Sequence, residues 1–167
     1  MQTTAKVHEG IGTLAAGDVL VVLWSEPASP KRWQVVVDHF ESLAREYPEG
    51  ILPLFLILAA AEPPDAELRR RMQADIRRFG PKLRRGVFVP LGDSIWISVV
   101  RTIVRTIFLL SGQSKRHMVV ATIEDGLERI QEAAGTHTPA RPELLAGIET
   151  LYRALGVSPP VSGTIRT

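Results

Sequence analysis

The stretch 51–58, ILPLFLIL, is apolar at every position. A strand of that kind has no polar face to give to water, so it belongs in the centre of a sheet covered by helices on both sides. Pro53 is acceptable only near the start of such a strand, because it cannot donate a ladder hydrogen bond. Two other runs read as buried strands: the β-branched 18–25, DVLVVLWS, and the shorter 86–91, GVFVPL. Residues 117–123, HMVVATI, predict a further strand, and residues 5–11, AKVHEGI, a short edge strand.

Between these runs the apolar period changes to that of helices. Ser29 reads as an N-cap with Pro30 at the first helical position. Trp33, Val36, Val37, Phe40 and Leu43 then share one face, until Pro48 and Gly50 stop the helix. Glu62-Pro63-Pro64-Asp65 starts a second helix with the stripe Leu68, Met72, Ile76 and Phe79. Gly92-Asp93-Ser94 is a turn and cap before a third, 95–111. Thr122 caps a short fourth helix, and residues 142–155 predict a last one with Leu144, Ile148, Leu151 and Leu155 on one stripe. Alternating strands and helices imply parallel pairing with right-handed crossovers. The expectation is therefore an α/β chain: a mostly parallel central sheet of four to five strands with helices, plus an added C-terminal helix. The divisions are a domain over 1–135, a connector and amphipathic helix over 136–156, and a loose Pro/Gly/Ser-rich tail over 157–167.

The third helix, in the stretch ISVVRTIVRTIFLLSG, is the most apolar helical segment, yet it carries Arg101 and Arg105. Residues 95–110 would span only ~24 Å as a helix. Two mid-span arginines would each cost ~2.5–3.5 kcal/mol in a bilayer, so a transmembrane role is disfavoured. Placed at 100° per residue, Ser94, Ser98, Arg101 and Arg105 fall within an arc of roughly 60°. The apolar arc that remains is wider than one sheet face needs. Two readings stand: a deeply covered core helix, or a subunit or partner interface centred on Trp96, Arg101, Ile103 and Arg105.

Charge is unevenly spread. Residues 69–85 hold eight cations against Asp75, a net +7 in a chain whose total is +2. Arg70, Arg71, Arg77 and Arg78 are the candidates for a basic surface. Phe79 belongs to the core stripe and no exposed aromatic is interleaved, so nucleic acid is disfavoured and a solvated face, an anionic partner or a lipid headgroup preferred. The chain has no cysteine, which excludes disulfides and thiolate chemistry. His8, His39, His117 and His137 lack metal-ligand spacing, so no metal site is expected. No phosphate-binding glycine loop or nucleophile elbow is present, and no cofactor is called for. Asp93 and Ser94 sit where a parallel strand's carboxyl end meets a helix, a place where ligands bind in open α/β sheets, although a simple cap explains them too. The N-terminus has no apolar core of a signal peptide, which makes the cytoplasm the default location.

The order of elements and the stretches DVLVVLWSEPASPKRWQVVVDHF, GILPLFLIL, RGVFVPLGDS and KRHMVVATIEDGLERI resemble the STAS superfamily, the bacterial anti-sigma-factor-antagonist fold. That fold is itself similar to the lipid-binding lobe of CRAL-TRIO proteins. The resemblance spans about residues 7–134. It implies a non-enzymatic module that binds a protein, a nucleotide or a lipid. The phosphorylated hydroxyl of antagonist members follows the central strand, and here that turn, AAAEPPDAEL, holds none, so the switch is not carried over. The reading is a non-catalytic regulatory or scaffolding module working by protein–protein contact with a partner or a second copy. Binding of a lipid or small anionic ligand is the alternative.

Overall fold

The computed structural model describes residues 3–58 and 61–159. Six strands form one sheet in sequential order: β1 (Thr3–His8), β2 (Ile11–Ala16), β3 (Val19–Trp24), β4 (Leu52–Leu58), β5 (Gly86–Leu91) and β6 (His117–Val119). The first two pairings are antiparallel and the next three parallel. The sheet is thus α/β and mostly parallel, as expected, but has six strands instead of four to five. The single edge strand expected over 5–11 is in fact the hairpin β1–β2. Gly10 supplies the positive φ of +75° that its two-residue turn requires. The sixth strand is three residues long, not seven.

Helices α1 (Pro30–Glu46), α2 (Ala66–Phe79) and α3 (Ser94–Leu110) each connect neighbouring parallel strands. Right-handed crossovers between sequentially ordered strands place all three on one face. Side-chain alternation sorts accordingly. Leu20, Val22, Phe55 and Phe88 point towards α1–α3 and pack with Val36, Phe40, Met72, Ile76, Val104 and Phe108. Val21, Leu23, Leu54, Leu56, Val87 and Val89 point the other way, against α4 (Ile123–Glu132) and α5 (Arg141–Leu155). This is why 51–58 carries no polar face. The helix starts have the expected caps: Ser29, Asp65 and Thr122 accept from the backbone N–H three residues on, at 3.2, 2.8 and 3.0 Å.

The C-terminal helix folds onto its own domain. Leu144, Ile148, Leu151 and Tyr152 of α5 are buried against Leu14 and Ala16 of β2. Gly147 allows this close approach, since a Cβ there would collide with Leu14. The helix of 136–156 thus packs in one hydrophobic cluster with the sheet and α4 of 1–135. Of the tail expected over 157–167, Val157 packs partly on this core, and residues from 160 on lie outside the described range.

At the amino ends of the parallel strands, Asp18 occupies the β2–β3 turn with its side chain fully buried. Its carboxylate takes an ion pair from Arg84, just before β5, and hydrogen bonds of 2.8 and 3.0 Å from the Thr138 hydroxyl, in the α4–α5 connector. Removing one partner of a buried pair leaves the other uncompensated. Arg84→Ala is expected to destabilise the fold by about 3 kcal/mol. Urea unfolding followed by circular dichroism measures it, and a loss below about 1 kcal/mol would show the pair to be dispensable.

Candidate binding surface and cavity on helix α3

Helix α3 starts at Asp93, whose carboxylate accepts from the Trp96 N–H at 2.8 Å. The Asp93–Ser94 turn thus has a structural occupation as a cap. Of the two readings of the helix, each holds for a different arc. Val100, Val104, Ile107 and Phe108 are buried against the sheet and α2. The opposite arc exposes large apolar side chains: Ile95 is 75% exposed, Leu109 63%, Leu110 54%, with Val99 also outside.

The polar residues on this outer arc do less to hydrate it than their number suggests. Ser98 donates to the Ser94 carbonyl at 3.0 Å, Thr102 to that of Ser98 at 2.9 Å, and Thr106 to that of Thr102 at 2.9 Å. Hydroxyls bonded back one turn have spent their only donor on their own helix. What faces outward is an apolar strip with methyl-bearing threonines between Ile95 and Leu110. Along one flank run Arg101 and Arg105, both exposed and without an ion-pair partner among the described residues. From Ser94 to Ile123 the sequence contains no acid.

The four residues expected at an interface therefore divide. Arg101 and Arg105 lie on the outer arc, whereas Trp96 and Ile103 are half-buried and pack against the inner core. The groove beside Ser94, Ile95, Ser98, Val99 and Thr102 is shared by Ile103, which stands at the border of the two arcs.

Behind α3, a cavity of about 100 Å³ lies between α2, α3 and the carboxyl halves of β3–β5. Its lining includes Trp24, Trp33, Phe55, Met72, Trp96 and Phe108, and it reaches the surface beside the exposed Glu62 and Pro63. Trp24, buried, and Trp96, half-buried, both face this space. The cavity was not anticipated from sequence. A signal for it exists: Trp24 ends a strand, while Trp33 and Trp96 sit in the first turns of helices that follow strands. In a parallel sheet those positions converge at one edge.

The basic run is largely taken up within the fold. Arg71 bonds Gln34 and lies 3.9 Å from Asp75, and Arg78 bridges Glu41 at 3.1 Å and Asp75 at 3.5 Å. Arg77 donates to the Leu110 carbonyl at 2.9 Å, tying α2 to the end of α3. Asp75 in turn accepts from the Trp33 indole at 2.7 Å. Of the four arginines assigned to a basic surface, Arg70 alone has no such bond among the described residues. Arg85 bonds the Arg129 carbonyl and Glu132.

Two of the histidines serve packing. His39 Nε2 lies 3.0 Å from the Thr13 hydroxyl, and His117 packs on Phe108 with ring centroids 4.8 Å apart. Among the described residues no three His, Asp or Glu side chains cluster to hold a metal ion, and no helix is long and apolar enough to cross a membrane. No protein-family model and no curated protein matches the sequence.

The two arcs of α3 predict opposite mutational responses. Phe108→Ala should destabilise by about 3–5 kcal/mol, as large-to-small core changes do. Ile95→Lys should fall within about 0.5 kcal/mol of the wild type. Thermal or urea unfolding of the two variants checks both.

Burial, chiefly, holds the pKa values of His39 and His117 below 6.5; Lys6 and His8 act in the same direction on the first, and Arg105 on the second, against a backbone hydrogen bond at Ser114. Below 6.5 the unfolded chain then binds more protons than the folded one, so stability is highest above that pH and falls as pH drops through it. Melting temperature should decline between about pH 7.5 and about pH 5.5. The decline should be shallower in the His39→Gln/His117→Gln double variant; an unchanged slope would assign it to other groups.

Proposed function

We propose that this chain is a non-catalytic interaction module, regulatory or scaffolding in role, that works by docking the outer arc of α3 on a protein partner. The observation that carries this reading is the pairing of an exposed apolar strip with two unpaired arginines on a segment free of acids. Contiguous exposed apolar surface with a polar rim marks interaction sites. Charge complementarity gives the partner's chemistry: an apolar ridge bordered by Asp or Glu, which would meet Arg101 and Arg105.

A second copy fits this surface less well. In a two-fold symmetric contact the same patch meets itself. Arg101 and Arg105 lie near the middle of α3, so an antiparallel pairing of two such helices brings like charges together. The resemblance to STAS modules, which work by contact, points the same way as the surface. Binding through Arg70, Arg71, Arg77 and Arg78 has less to recommend it, because three of the four are engaged within the domain.

The test is site-specific photo-crosslinking in the cells of origin, with the reactive group at Thr102 on the strip and, as control, at Thr150 on α5. The expected result is a partner adduct at Thr102 that is absent at Thr150. With that partner purified, Ile95→Lys and Arg101→Glu/Arg105→Glu should each weaken binding by at least about tenfold, the second in a salt-dependent way. Equal adducts at both positions, adducts of the chain with itself alone, or unchanged affinity of the variants would overturn the proposal.

A further inference from the structure

All three tryptophans of the chain, Trp24, Trp33 and Trp96, line the one cavity behind α3. They come from a strand end and two helix starts, and Phe55 and Phe88, stacked with centroids 4.7 Å apart, add to its aromatic lining from the sheet. Protein interiors rarely leave voids larger than a water molecule, because the lining loses its contacts. Water does not fill this one on favourable terms. The Trp33 indole N–H is already given to Asp75; that of Trp96 is buried without a partner, a single donor in walls that are otherwise apolar apart from Glu62 at the mouth. A water needs two to four polar partners, whereas dry apolar cavities take apolar guests; an engineered one of ~150 Å³ binds benzene.

We infer that this cavity is a binding site for a small uncharged apolar group, no larger than one aromatic ring or the end of a short alkyl chain. Size sets the upper limit. At about 100 Å³ the space lies well below the ~300–1,000 Å³ of pockets that take drug-sized ligands, so a whole membrane lipid does not fit. Charge sets the second limit. Among the described residues lining the cavity, Glu62 is the one charged side chain, and it stands where the cavity meets the surface. A carboxylate or phosphate would pass this carboxylate and then find no cation inside. The expected lipid or anionic ligand is thereby narrowed to a neutral apolar one. The inference concerns the inner arc of α3 and stands or falls independently of the contact proposed for the outer arc.

The tryptophans supply the readout. Iodobenzene, a neutral ring carrying a heavy-atom quencher, should quench the intrinsic fluorescence of the purified chain saturably, and toluene should reverse it by competition. 4-Iodobenzoate, the anionic counterpart, should bind at least ~tenfold more weakly. Val100→Phe and Ile76→Phe each fill the cavity from a different wall. Whichever remains folded by circular dichroism should lose the saturable quenching. Quenching that is linear and unaffected by toluene would overturn the proposal. So would iodobenzoate binding as tightly as iodobenzene, or unchanged saturable quenching in a folded cavity-filling variant.

Discussion

The ion pair between Asp18 and Arg84 fixes how the two halves of this chain meet. Asp18 sits in the turn that converts the antiparallel half of the sheet into the parallel half, and Arg84 sits at the entry to β5. Around them the backbone is tied across strands: the Leu52 N–H donates to the Asp18 carbonyl at 2.9 Å, and the Arg84 N–H to that of Ile51 at 3.0 Å. Thr138 brings the α4–α5 connector to the same carboxylate. A buried carboxylate is tolerable only when its oxygens are occupied, so this site holds three distant segments in one arrangement. Strands that are apolar on both faces need such a device. Their side chains alone do not distinguish one register from its neighbour two residues away.

The carboxyl edge of the parallel strands also has an ion pair, Arg32–Glu26 beside the end of β3, but its interior between α2 and α3 is left to aromatic and aliphatic groups. Trp24, Trp33 and Trp96 converge there because the strand ends and the following helix starts share that edge. In open α/β sheets this edge is where ligands bind. The same sheet has a buried ion pair at one end and an apolar, incompletely filled cavity at the other. The difference between the ends follows from placement of a few residues on a uniform framework.

Much of this framework is legible in the sequence because the physics behind it is local. Strand 51–58 announces its central position by lacking a polar face, and Ser29, Asp65, Asp93 and Thr122 mark helix starts through the hydrogen bond each makes three residues on. β2 is the strand that was missed. Its sequence, IGTLAA, has few β-branched residues, and Gly12 is small where Leu151 and Leu155 of α5 come close above it. That closeness arises from packing against a helix 130 residues later, which no local pattern contains. The basic run misleads for the same reason. Counted along the chain it is a charge of +7, but in space Glu41, Asp18 and Glu132 come from elsewhere to join Asp75 in meeting it. The candidate surface was half legible: the arginines of α3 lie on its outer arc, while Trp96 and Ile103 turn towards the cavity.

Helix α3 shows why composition alone misjudges a surface. Its outer arc reads as mixed, with serine and threonine among the aliphatics. Each hydroxyl that bonds a carbonyl one turn back no longer competes for water as a donor, and leaves its methyl or methylene outward. Desolvating that arc in a contact therefore strips fewer water hydrogen bonds than the residue names suggest. The two arginines keep the strip hydrated at one flank and set the sign of what can approach it. An apolar strip without them would accept any apolar surface, including its own copy; in the proposed contact the arginines would add discrimination by charge, which is how a specific contact is separated from aggregation.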